Sequence, residues 1–463
     1  MMKGNKSVIA SALYLVGNIF TKAVAFLTIP IFTNLLTTSE YGVVNTYTTW
    51  VNIASIVICL SLFNSFRSAY VDKQERFNGY CASVIRLALL LFGVSMLIAT
   101  IAILGVPGIR SDAWMIYSCL IQAFGTFCVT CMTTKYMLEF RYNRRAFYMI
   151  VPNLCCVGLA IVLLLVTDEN RYMWRILAYA FVYAMFAIAI LWSMRKEKTD
   201  KSDWKYATGY SLPLIFHGLS LVVLAGSDRI MITALVNSSE AGIYSLVYNL
   251  GTVATAIATA LEGIWLPWFI VKLKEGNLQL INKKVVYLVE NVSVVVIGVM
   301  LVAPEVLKVM SAPEYWSGTN MIFPVALAAY LMFLYDLAVN IEYQYKQTKK
   351  IAANTIMAAG INIVLNLILI PIFGTVAAAY TTVISYMFSL IMHGYYAKKC
   401  VPGIFPKKTY LPYLLMVVAV SLLSPFLVPF VWLRWGIAVV LGVGYLYCMF
   451  IRKRFIALQI KMR

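Results

Sequence analysis

The 463-residue sequence is short of charge. Only 12% of its residues are Asp, Glu, Lys or Arg, about half the share in a soluble domain. It has no polar stretch long enough to form a soluble domain; the gaps between apolar runs reach about a dozen residues. Histidine is nearly absent. His217 and His393 are the only two, which disfavours a His-based catalytic cluster. No phosphate-cradling Gly-rich loop of the GxxxxGK[S/T] kind occurs, so direct use of ATP is not expected. The nine cysteines make no metal-type spacing with His. Cys59, Cys119, Cys128, Cys155, Cys156 and Cys448 lie within apolar runs and read as small buried residues. Acidic residues are outnumbered, 19 against 38 basic, for a net charge of +19. Nucleic acid would explain such a balance if the bases formed one patch. They sit instead in short clusters between apolar runs, the signature of cytoplasmic loops in a membrane protein.

What the chain has in abundance is hydrophobicity: 62% apolar residues and a mean hydropathy of +0.82. Apolar runs of about 20 residues, the length that crosses a bilayer core, recur from end to end. Fourteen spans are predicted, starting near residues 7, 42, 81, 114, 148, 173, 207, 242, 285, 320, 351, 375, 409 and 434. The first apolar stretch, from about Ser7 to Leu36, is too long for a signal peptide and lacks a cleavage pattern, so it reads as a transmembrane helix. With both termini cytoplasmic, thirty basic residues fall on the inner side and five on the outer (Arg110, Arg171, Arg175, Lys308, Arg434). Lys22, Arg86 and Arg229 remain within spans. The lopsided split supports both the span count and the orientation. Outer connections such as Thr37–Tyr41 and Asn237–Ala241 leave no room for a folded catalytic loop.

An internal repeat organises the chain. Ser39-Glu40-Tyr41-Gly42-Val43 returns 200 residues later as Ser239-Glu240-Ala241-Gly242-Ile243. Polar residues follow each copy in register: Asn45, Thr48, Asn52, Ser55 and Cys59 in one, Ser245, Tyr248, Thr252, Thr255 and Thr259 in the other. Steps of three and four place each set on one helical face. A polar row on a membrane helix belongs against protein or a water-filled cavity; gluing helices together is the competing reading. Six spans separate the copies, so equivalent helices run in the same direction, a parallel repeat. The expected fold is therefore all-α and membrane-integral. Two six-helix lobes (1–200 and 201–400) are followed by two further helices with a basic tail (401–463).

A charge at mid-bilayer costs roughly 2.5–3.5 kcal/mol, so charges within spans are functional candidates. Lys22 and Arg229 are the candidate cations for an anionic substrate, with Asn18, Asn52, Thr252, Thr255 and Glu262 as polar lining. Asp228, Glu290 and Asp336 are candidates for sensing a coupling H⁺ or Na⁺. Glu290 and Asp336 are placed near the cytoplasmic ends of their spans. Arg86 is expected to snorkel to headgroups. Pairing of Arg229 with an acid, and hydrogen bonding of His217 within the bundle, are the bland alternatives. Pro30, Pro213, Pro267 and Pro324 interrupt long spans and permit bending.

Several stretches resemble bacterial polysaccharide-biosynthesis flippases of the O-antigen type. These are Leu212-Pro213-Leu214 through Gly226-Ser227-Asp228-Arg229-Ile230 to Ala241-Gly242-Ile243-Tyr244-Ser245, then Gly360-Ile361-Asn362 through Asn366-Leu367, and Ile370-Pro371-Ile372-Phe373-Gly374-Thr375. Pro30, Leu35-Leu36 and Glu40-Tyr41-Gly42 fit as well. That family belongs to the superfamily of multidrug, oligosaccharidyl-lipid and polysaccharide exporters. The resemblance implies two lobes around a central cavity and alternating access. It implies movement of a polyprenyl-diphosphate-linked oligosaccharide from the cytoplasmic to the outer leaflet of the bacterial plasma membrane. It also implies a shared pathway with glycosyltransferases and a polymerase. No cofactor, metal or enzymatic activity is expected. A peptidoglycan-precursor flippase or a drug or metabolite antiporter of the same superfamily is the alternative. A membrane polymerase or acyltransferase would need a catalytic set that the two distant histidines do not supply.

Overall fold

A computed structural model describes residues 23–451, so the expectations at Asn18 and Lys22 lie outside the described residues, as do those for the side chains of Pro213, His217 and Thr252. The described chain is helical from one end to the other. Its helices, in order, are α1 (Ile29–Leu35), α2 (Thr38–Ile58), α3 (Phe66–Asp72), α4 (Phe77–Gly105), α5 (Ala113–Leu138), α6 (Tyr142–Val166), α7 (Arg171–Ser193) and α8 (Ser202–Leu235). Then follow α9 (Ser238–Lys274), α10 (Leu278–Met310), α11 (Ile322–Gln344), α12 (Thr348–Phe373), α13 (Thr375–Cys400), α14 (Lys407–Leu427) and α15 (Val431–Phe450). Among the described residues twelve helices are long and apolar enough to span a bilayer, thirteen if the bent α2–α3 segment counts as one. α1 is the end of a shorter apolar helix, Ala23–Leu35. The twelve helices and the bent segment correspond to thirteen of the fourteen predicted spans; most of the first predicted span lies outside the described residues. The second span differs in detail: it bends by 55° where Leu60 and Ser61 take left-handed backbone angles, and α3 continues beyond the bend.

The described residues divide into two compact units after Ile230, within α8. In the first unit, α4, α5 and α7 bury a core that includes Tyr80, Ile85, Phe127 and Ile190. The opposite face of α4 exposes Leu90, Val94, Leu97, Ile101 and Leu104, an apolar row suited to acyl chains. In the second unit α11 is central: 83% of its apolar window is buried, against 6% for the peripheral α15. A polar residue on α11 therefore meets protein rather than lipid. α15 is fastened by Arg434, fully buried, whose guanidinium donates to Glu305 of α10 at 2.9 and 2.5 Å and to the Leu301 carbonyl at 2.6 Å. The sequence reading had placed Arg434 in an outer connection.

The repeat is visible in how α2 and α9 begin. Thr37 and Glu40 form a reciprocal capping box, with Glu40 N–H donating to Thr37 Oγ1 at 3.2 Å and Thr37 N–H to Glu40 Oε2 at 3.0 Å. Asn237 caps α9 by accepting from Glu240 N–H at 2.8 Å. Each glutamate also reaches a second helix start. Glu40 Oε1 accepts from the Tyr172 N–H of α7 at 3.3 Å, and Glu240 Oε2 accepts from Thr375 Oγ1 of α13 at 2.8 Å. A carboxylate between two helix N-termini is favoured by both macrodipoles. Gly374 makes the second case possible: its φ of 69° turns the chain sharply between α12 and α13.

Candidate functional site

The first unit holds two sets of charge. One lies at the base-rich end, where the connection between α7 and α8 is fastened to α4. Fully buried Asp203 accepts from Lys73 at 2.5 Å and from Arg76. Arg86 donates to Thr199 Oγ1 at 2.7 Å and to the carbonyls of Arg195 and Glu197 at 3.0 and 3.3 Å. Arg86 thus holds the segment that follows α7, whose carbonyls accept its guanidinium. Nearby Asp200 has its carboxyl held below the usual range by hydrogen bonds from the Ser202 side chain and backbone, with Arg76 adding to the effect.

The other set lies toward the opposite end. Arg175, one turn into α7, sets its guanidinium over the Phe32 ring at 3.8 Å, with Tyr41 at 5.7 Å and Tyr179 at 5.9 Å. Its Nε and Nη1 are buried with no hydrogen-bond partner among the described residues, and its polar neighbour is the Tyr179 hydroxyl. This is a cation held by aromatic faces from α1, α2 and α7, with no carboxylate beside it among the described residues.

The predicted residues of the GSDRI stretch pack on α2. A Cβ at Gly226 would come within 2.8 Å of the Thr49 side chain, so only glycine permits this approach. Thr46 Oγ1 donates to the Arg229 carbonyl at 3.4 Å. Asp228 is buried and Arg229 half-buried, both with polar partners. Along α2, Asn45 is half-buried, Thr48 and Asn52 are exposed, and Cys59 is buried.

The second unit gathers acids instead. Glu262 of α9 accepts from Asn340 Nδ2 of α11 at 2.5 Å. Asp336, one turn before Asn340, lies within electrostatic range of Glu262. Thr255 is half-buried on α9, two turns before Glu262. Glu290 lies within electrostatic range of Tyr445 of α15. Asp336 sits eight residues before the end of α11, about 12 Å along the axis. It is deeper than the helix-end position read from sequence. Between α12 and α13 a fully buried polar chain links Asn362, Asn366, Thr381 and Thr382. Every link is a side-chain hydrogen bond, which suits helix association. A cavity of about 40 Å³ among Val285, Val289, Leu334, Lys398 and Tyr410 is large enough for water but not for a sugar.

With this geometry in place, comparison with known proteins places the chain. The sequence profile of the family described as polysaccharide biosynthesis protein matches residues 9–273, more than half the sequence. The chain belongs to that family. A curated relative, "Lsg locus putative protein 1" of Haemophilus influenzae, is 23% identical over 365 residues, covering 75% of this chain and 87% of its own. Among solved structures, the fold is similar to one titled "Lipid II flippase MurJ, inward closed conformation". That match has a TM-score of 0.64 and 12% identity, covering 96% of this chain and 99% of the other. It is also similar to an inward-facing multidrug-resistance MATE family transporter of the MOP superfamily, with a TM-score of 0.55 and 13% identity over 86% of this chain and 95% of the other. The family member described here is thus a multi-pass membrane protein whose fold is similar to those two solved structures.

Three site features were not read from its sequence. Arg175 had been counted with the outer connections, because nothing in the sequence reports the rings around it. Asn340 bears no sequence mark, although its spacing of four from Asp336 would have placed both on one face. Glu342 and His393, buried together in the second unit, lie 51 residues apart and carry no local signature.

Proposed function

We propose that this family member is a flippase that moves a polyprenyl-diphosphate-linked oligosaccharide from the cytoplasmic to the outer leaflet by alternating access. Its termini would lie in the bacterial cytoplasm, and an H⁺ or Na⁺ gradient would drive it. The observation that carries the reading is Arg175. A guanidinium one turn into a membrane helix, held on aromatic faces and making no ion pair among the described residues, is free to take an anionic group of the substrate. Arg can grip a diphosphate with its planar fork. Lys22 and Arg229 complete the cationic set in this proposal. The exposed Thr48 and Asn52 supply hydroxyl and amide groups to sugar, and the lipid chain stays in the bilayer. Glycosyltransferases and a polymerase of the same pathway are the expected neighbours in the cell.

The test is complementation of a strain lacking the native gene. Lys22→Ala, Arg175→Ala and Arg229→Ala should each reduce surface polymer and leave a lipid-linked intermediate in the inner leaflet. Normal polymer from the triple variant would overturn the cationic site. A stalled intermediate belonging to peptidoglycan rather than to a surface polysaccharide would redirect the substrate assignment.

A further inference from the structure

Glu342 and His393 are the most deeply buried ionisable pair in the second unit, and the flippase reading has no use for them so far. Glu342 lies two residues before the end of α11, and His393 lies seven before the end of α13. His393 Nδ1 and Glu342 Oε1 are 2.7 Å apart, and the two side chains are 2% and 0% exposed. Glu342 Oε2 is buried with no hydrogen-bond partner among the described residues. The Tyr335 ring stacks on the imidazole, centroids 5.6 Å apart and planes 24° apart.

A hydrogen must lie between two polar atoms at that distance. Two protonation states satisfy it. With one proton more, the pair is neutral overall, either as imidazolium and carboxylate or as imidazole and carboxylic acid. With one proton fewer, Nδ1–H still donates to the carboxylate, but the buried pair carries a net negative charge. Losing a counter-charge inside a protein is strongly destabilising. The surroundings offer little relief. Asp336 on the same helix and Glu262 of α9 are both acids, and both lie within electrostatic range of Tyr335. Glu290 of α10 lies within electrostatic range of Tyr445 of α15. Cys400 of α13 senses both Glu342 and Lys350 of α12, but the Lys350 ammonium lies over the Tyr396 ring at 5.0 Å. Lys398 of α13, with Val285 and Val289 of α10 and Thr409 and Tyr410 of α14, lines the small cavity nearby.

We infer that Glu342 and His393 together bind one proton, and that this proton is the coupling ion of the transport cycle. The coupling half of the inference rests on the transport reading above; the binding half does not. The proton-loaded pair suits the tight α11–α13 packing described here. Release of the proton leaves a naked charge in that seam and favours an arrangement in which water reaches it. Na⁺ fits poorly, since hard cations want several oxygens and the pair offers one carboxylate and a nitrogen. Among the described residues no group of three or more His, Cys, Asp or Glu could hold a metal ion.

The experiment uses the purified full chain in detergent, jumped from acid to alkaline pH with a soluble indicator dye and infrared difference detection. The wild type should release one proton from this pair, with matching carboxyl and imidazole bands. That proton and those bands should be lost in Glu342→Gln, and separately in His393→Gln should the first variant fail to fold. Na⁺ added at fixed pH should leave the bands unmoved. Proton release unchanged in both variants, or a Na⁺-induced change equal to that of the pH jump, would overturn the assignment. Both variants should also fail to restore surface polymer, and full restoration would remove the coupling role. A wild type that releases the proton but supports no polymer export sinks the flippase reading and leaves the proton site standing.

Discussion

The two units begin alike and differ inside. Glu40 and Glu240 each cap one helix and reach the start of another, 200 residues apart. Beyond that shared scaffold, both units bury acids and bases, but the first sets Arg175 on aromatic faces with no ion pair among the described residues, whereas the second brings Glu262 within range of Asp336 and buries Glu342 against His393. The difference teaches that a repeat can preserve the joints between helices while its interior chemistry diverges. On the function proposed above, one unit would take the anionic substrate and the other the coupling cation.

The largest expected effect concerns the helices that only the second unit has gained. Arg434→Met strands Glu305 and should lower stability by about 3–5 kcal/mol, read as a fall in the thermal midpoint in detergent. A negligible shift would mean that α15 contributes nothing to holding that unit together. Next comes the cation of the first unit. Arg175→Leu should cut polymer export roughly tenfold, equivalent to about 1.4 kcal/mol, while Arg175→Lys restores the charge and part of the activity. Equal loss in both would assign Arg175 to packing on Phe32 instead.

The shared joints should matter less and equally. Glu40→Ala and Glu240→Ala should each cost about 1 kcal/mol of stability, measured by thermal shift. A strongly unequal pair would break the symmetry argued here. The smallest effect lies on the surface of the first unit. The Asp200 carboxyl is held below its usual value of 3.8, so its contribution is complete above that value and fades as pH falls through the lower folded one. Hydrogen exchange in residues 195–203 should speed up only in that acid range, and Asp200→Asn should remove the pH dependence. Acceleration near neutrality would assign the fastening of this segment to another group.

Much of this was legible because helix length, apolar runs and loop charge are local properties of the chain. The spans and the short connections at Thr37 and Asn237 follow from them. The bend at Leu60 and Ser61 was not legible, since neither residue is a glycine or proline that would announce it. The partners of Arg86 were not legible, because they are carbonyls of the connection after α7, more than a hundred residues away. Asp336 was placed too near a helix end because hydropathy alone sets span limits only within a turn or two.

By itself the sequence determined that this chain must live in a bilayer and where most of its crossings lie. Those follow from the cost of exposing backbone to lipid and of carrying Lys and Arg across it. Only the tertiary structure decided which charges matter. A guanidinium on the Phe32 ring and a carboxylate against His393 are made by helices that meet far from one another in sequence, and burial, which gives each its chemistry, exists only after they pack.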